Sequence, residues 1–180
     1  MARQADKKAP FDRHVRLFLS TVTSEFGSYR DHLRRLLQRP NVTVHVQEDF
    51  VASGTDILRK LDDYIVQCDA VIHLAGDAPG AWAEPETVKK LRARRRDIGK
   101  RLPPLAPLLK SGGPPISYTQ WEAYLALYHD KPLVVAVPTA AAPRDKPPDP
   151  SLRASQTAHL ERLREMAQYA EISFSDQKAS

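Results

Sequence analysis

Short apolar runs alternate with stretches of helical periodicity along this chain, and that alternation restricts the fold more than any other feature. Arg16-Leu-Phe-Leu-Ser20 reads as a first strand ending in small polar residues. From Ser24 the period changes: Phe26, Tyr29, Leu33, Leu36 and Leu37 recur at helical spacing with charges between them, Ser24 is the expected N-cap and Pro40 the stop. Val42-Thr-Val-His-Val46 alternates and is β-branched, giving a second strand. Ser53-Gly54-Thr55 opens a helix with Ile57, Leu58, Leu61, Tyr64 and Ile65 on its buried face. Ala70-Val-Ile-His-Leu-Ala75 is nearly continuous in apolar residues, as a parallel strand covered on both faces should be. Trp121, Tyr124, Leu125 and Tyr128 mark a further helix and Leu133–Val137 a fourth strand. Leu152, Leu160, Leu163 and Met166 lie on one stripe of a last helix from Ser151 to Gln168, and Ala170–Phe174 is a fifth strand.

Each right-handed crossover lays its helix on the sheet, so this order predicts an α/β domain with a five-stranded, mostly parallel sheet and helices on both faces. Ligands of such folds bind outside the carboxyl ends of the strands, near the point where strand order reverses. Ser20-Thr21, Glu48-Asp49-Phe50, Gly76-Asp77 and Pro138 stand at those ends. Residues 1–15 read as a tail and 16–180 as the domain. The chain stops about six residues beyond the fifth strand with no closing helix, which suggests the N-terminal piece of a longer protein.

Residues 76–116 break the alternation. They are rich in Pro, Gly, Arg and Lys, and Val88–Arg101 is expected to form a basic helix with few apolar anchors. Residues 81–115 hold nine Lys/Arg against three Asp/Glu, so this segment carries the excess charge of a chain whose net charge is +5. A local excess fits a surface arm, an acidic partner or a phosphate-bearing ligand. No RRM-, KH- or zinc-finger-like pattern accompanies it, which argues against nucleic acid. No apolar run reaches membrane-spanning length, the charged N-terminus does not resemble a secretory signal, and the single cysteine, Cys68, excludes an internal disulfide; a cytoplasmic protein is the simplest reading.

GxxxxGK[ST] and GxGxxG are both absent. The six histidines are scattered without an i, i+4 pair, so no histidine metal site is expected, and His45 and His73 read as packed strand residues. The informative stretch is Ser117-Tyr-Thr-Gln-Trp-Glu-Ala-Tyr-Leu-Ala126, a capped helix that begins at the ligand edge. Glu122 falls within its first two turns, where the helix dipole stabilises an anion. A carboxylate there can stabilise a cationic sugar carbon or bind ribose hydroxyls, as glycosidase carboxylates do. From spacing alone it reads equally as a solvated helix glutamate. The turn Val46–Phe50 with Ser53-Gly54 is open in the same way, between an anion-binding site and a plain capping turn.

Arg16–Arg34, Val46–Phe50, Leu61–Gly80 and Ser117–Leu133, in that order, resemble the Toll/interleukin receptor (TIR) superfamily, and most closely its bacterial TIR-like members at the N-terminus of STAND-type NTPases. The resemblance implies a flavodoxin-like fold and a signalling or effector role, often in bacterial immunity. Many TIR domains cleave the nicotinamide–ribose bond of NAD⁺ with one glutamate on the helix after the third strand, followed four residues later by a small residue. Glu122 and Ala126 match that spacing, and Ser20 matches the serine that ends the first strand. The sequence departs from the family in having Thr119-Gln120-Trp121 before the glutamate, no Pro-Gly pair after the second strand, and a much longer insertion.

Built on that resemblance, the leading reading is an NAD⁺ glycohydrolase in which Glu122 stabilises the ribosyl cation, with Ser20, Asp49 and Trp121 as candidates to line the pocket and the basic 89–101 segment to attract the pyrophosphate; no metal is needed, because nicotinamide is already a good cationic leaving group. NAD⁺ is then a substrate and no cofactor is needed. Two other readings remain: a non-catalytic module whose basic arm meets an acidic patch on like domains, and a deoxyribosyltransferase-like enzyme. The insertion is expected to be a mobile or separately packed arm near the cleft mouth, removable without loss of the core.

Overall fold

The computed structural model describes residues 13–49 and 56–175. Phe50 and the expected helix opening at Ser53-Gly54-Thr55 lie outside the described residues. Five strands, β1 (Val15–Thr21), β2 (Val42–His45), β3 (Ala70–Leu74), β4 (Leu133–Pro138) and β5 (Ala170–Phe174), form one sheet in the order β2-β1-β3-β4-β5. All four pairings are parallel. This is the flavodoxin-like arrangement, and strand order reverses between β1 and β3. The register sets Ser20 directly beside His73 at the carboxyl end of those two strands.

Among the described residues six α-helices, α1 (Thr23–Leu37), α2 (Ile57–Gln67), α3 (Pro85–Arg94), α4 (Ile98–Arg101), α5 (Tyr118–Tyr128) and α6 (Arg153–Met166), connect them. The first begins a residue ahead of the expected cap, with Val22 as N-cap, and kinks at Phe26. Phe26 is buried and meets Tyr29 and Phe174 edge-on, so packing sets the local backbone there. On the same face lie Leu19, Val44, Val46 and Leu74. At the sheet edge Ile172 remains 53% exposed. Among the described residues no helix is long and apolar enough to cross a membrane.

The other face carries the larger core, and here the structure corrects the sequence reading of the insertion. Leu91, Ile98, Leu102, Leu105, Leu109 and Ile116 are buried in the same cluster as Phe18, Val71 and Tyr124. Every residue of α5 is buried, because the sheet covers one side and the insertion the other. A helix covered all round has no solvent stripe, which is why its apolar residues show no clear sidedness. The arm is thus an outer layer of the core. Its helix also begins earlier than expected, with Pro85 in the first turn, and breaks after Arg94 before the single turn of α4.

The arginines explain how a basic segment can lie there. Asp62 on α2 is fully buried and accepts from Arg95 Nε at 3.1 Å, while Arg94 Nε stands 3.3 Å away and His129 Nε2 2.6 Å away. Burial pushes the Asp62 carboxyl up, but His129 and Arg95 outweigh it and hold the group below its ordinary range. Arg101 donates to Asp130 and stacks over the Tyr128 ring.

Candidate functional site

The carboxyl ends of β1 and β3 frame an open cleft of about 370 Å³ lined by Thr21, Thr23, Gln47, Ala78, Gly80 and Thr119 among others. One glycine, Gly80, lines it, and a second, Gly76, lets the loop after β3 pack closely on α1. Gly80 has φ +85°, and a Cβ there would stand 2.9 Å from Thr119 Oγ1. A Cβ on Gly76 would collide with the Glu25 carboxylate, which is buried and accepts from the backbone N–H of Asp77 and Ala78 and from Arg144 Nε. Asp77 in turn accepts from Arg144 and Arg153. The loop after β3 is therefore tied to α1 and to the segment after β4.

Helix α5 starts at this cleft. Ser117 accepts from the Gln120 N–H while the Gln120 side chain accepts from the Ser117 N–H, a reciprocal cap that fixes the first turn as the sequence predicts. Thr119 on that turn reaches the cleft, and Glu122 lies one turn further along, 1% exposed. Its Oε1 is buried with no hydrogen-bond partner among the described residues, and so is Thr21 Oγ1. The expectation that the helix dipole keeps Glu122 acidic is overturned. Burial pushes its carboxyl up to about 8; the Ser20 hydroxyl facing it pulls down, and the Glu48 carboxylate pushes up again. Desolvation of a fully enclosed carboxyl exceeds what the dipole offers at the second turn.

The four residues expected to form one pocket separate into two that meet and two that do not. Ser20 and Glu122 face each other. Trp121 turns the other way, into the core, and lines a cavity of about 290 Å³ between α5 and the insertion with Ala83, Val88 and Ile116. Asp49 closes the 3-10 turn Gln47–Asp49: it accepts from the Val46 N–H at 3.0 Å, and both its carboxylate oxygens accept from Arg34 Nη2. Neighbouring Glu48 accepts from Thr23 and Arg30. The acidic patch expected after β2 is thus neutralised within the molecule. The basic segment does not sit beside Glu122 either, since Arg94, Arg95 and Arg101 engage Asp62, Asp63 and Asp130 toward the far end of α5.

One polar cluster escapes the sequence reading. His73 and His159, 86 residues apart, meet Nε2 to Nε2 at 3.1 Å, both wholly buried. Burial lowers His73 to about 4 and, with the nearby His73 and Arg162, drives His159 well below its ordinary value, so both rings are neutral at physiological pH. Serine 20 and Tyr124 flank the pair. The only sequence signal is a histidine inside the apolar run Ala70–Ala75. Among the described residues no cluster of three or more His, Cys, Asp or Glu is arranged to hold a metal ion. No family model matches the sequence, and no curated protein matches it either.

Proposed function

We propose that the chain is a TIR-like effector domain that cleaves the nicotinamide–ribose bond of NAD⁺ or a related nucleotide, with Glu122 as the working carboxylate. The observation that carries the reading is the position of Glu122: enclosed on α5, the helix that leads into β4, one turn from the cleft at the switch point, with an oxygen that no described residue hydrogen-bonds. A buried acceptor left unpaired is costly, and a ribose hydroxyl or a developing cationic carbon can satisfy it. The nicotinamide ring brings a positive charge that favours the ionised carboxylate. Glycosidic cleavage releases neutral nicotinamide and leaves a ribosyl cation beside Glu122, which water then captures. Serine 20 orients the carboxylate. The phosphates lie toward Thr21, Thr23 and Thr119. Access to Glu122 requires the cleft floor at Thr21 and Thr119 to part. A cytoplasmic setting suits the reading, since NAD⁺ is an intracellular nucleotide and the single cysteine is buried.

Concentrated protein incubated with NAD⁺ should release nicotinamide, and Glu122→Gln should lower the rate on the order of 100-fold or more. Equal rates in the two proteins would remove Glu122 from the mechanism. Release of free base from deoxynucleosides, with NAD⁺ untouched, would instead favour the deoxyribosyltransferase-like reading. The charge-complementary association module is the weaker alternative, because Glu48 and Asp49 already pair with Arg30 and Arg34.

A further inference from the structure

A continuous file of polar groups runs through the core from α6 to Glu122. Arg162 Nε donates to the Tyr124 hydroxyl at 3.3 Å. The Tyr124 hydroxyl lies 2.7 Å from His159 Nδ1, His159 Nε2 lies 3.1 Å from His73 Nε2, and His73 Nδ1 lies 2.8 Å from Ser20 Oγ. Ser20 faces Glu122. Tyr124, His159, His73, Ser20 and Glu122 are all buried, and Arg162 is half-buried.

The chemistry of the outer end sets the direction of the whole file. A guanidinium has only donors, so Tyr124 must accept from Arg162 and spend its own proton on His159 Nδ1. His159 is then protonated on Nε2 and donates to His73 Nε2. His73 is therefore protonated on Nδ1 and donates to Ser20 Oγ, which leaves the serine proton for Glu122. The reverse order would strand the buried Tyr124 proton without an acceptor among the described residues. We propose that Arg162, Tyr124, His159 and His73 are positioning residues, a one-way donor chain that turns the Ser20 hydroxyl onto the Glu122 carboxylate and so readies it to face a cationic sugar. The inference rests on the reading of Glu122 as the working carboxylate, and it extends that site to the surface of α6.

The groups that bear on Glu122 are few. Ser20 comes from β1, and Glu48, itself paired with Arg30 of α1 and bonded to Thr23, comes from the 3-10 turn. Behind Ser20 stand His73 from β3, Tyr124 from α5, and His159 and Arg162 from α6. Among these only Ser20 offers a donor to Glu122. Breaking the file at its outer end frees that hydroxyl to rotate away, and Glu122 should then become harder to ionise.

Nitrogen-15 NMR of the whole chain with labelled histidine reads the two tautomers, and carbon-13 NMR of labelled glutamate reads the Glu122 titration, with Glu122→Gln assigning the signal. His73 should carry its proton on Nδ1 and His159 on Nε2. Tyr124→Phe and the half-buried Arg162→Met should each raise the Glu122 midpoint by about one pH unit. Arg162→Lys, which keeps a cationic donor, should restore it. The opposite tautomers, or an unmoved midpoint in folded Arg162→Met and Tyr124→Phe, would overturn the chain. Nicotinamide release from NAD⁺ by the same proteins separates the two failures. The expected NMR signature in a wild type that releases no nicotinamide supports the chain and sinks the glycohydrolase. Release with an unmoved Glu122 midpoint sinks the chain alone.

Discussion

Glu122, His73 and His159 tie stability to pH in opposite senses. Glu122 holds a proton in the fold up to about 8, whereas its ordinary value is 4.5, so between those values the folded chain binds a proton that the unfolded chain releases. Its contribution to stability is therefore present at acid pH and lost as pH rises through that window. The histidines behave conversely. His73 is lowered from 6.5 to about 4 and His159 also lies well below 6.5, so the unfolded chain takes up protons that the fold refuses. Their contribution is present above about 6.5 and lost as pH falls. Together these three groups place maximum stability near pH 6.5. Glu122→Gln should abolish the alkaline decline, and thermal unfolding from about pH 6 to 9 checks it; parallel curves for the two proteins would contradict the assignment. Much of this is invisible in sequence. The Ser117 cap locates Glu122 at the ligand edge, but its enclosure depends on what covers α5, and the His73–His159 contact depends on α6 folding back over β3.

At the scale of elements, the alternation of periods is enough to read all five strands and the order of the main helices, because each crossover leaves its own pattern. The insertion is misread for a definite reason. Its arginines look incompatible with burial when counted alone, since an unpaired buried charge is costly. Arg94 and Arg95 are paired with Asp62 and Asp63, on another helix, and sequence distance hides those partners. Asp62→Ala should therefore cost about 3–5 kcal/mol by leaving Arg94, Arg95 and His129 around an uncompensated gap. Leu91→Ala in the insertion should cost about 2–5 kcal/mol, as in any core helix. Replacing 83–113 by a short Gly/Ser linker should abolish cooperative unfolding, since Leu58, Leu61 and the outer side of α5 would lose their cover. Denaturant unfolding of these proteins decides the matter, and a melting temperature little changed by the deletion would restore the separate-arm reading.

For the whole molecule, the sheet order brings two features to one place: a switch-point cleft and a buried carboxyl beside it. On the proposed TIR-like reading, motif spacing points to the same glutamate, while the expected pocket partners Asp49 and Trp121 serve a turn and the core instead. What places Ser20 with Glu122 is strand register, which fixes the end of β1 beside β3 and under α5. If Glu122 is the working group, its ionisation must govern the reaction of free protein with substrate. The most direct measurement is kcat/KM for NAD⁺ against pH. The account predicts a limb that rises with a midpoint of about 8, the value burial gives the Glu122 carboxyl, and that disappears in Glu122→Gln. A flat profile across that range, or the same rising limb in Glu122→Gln, would contradict it.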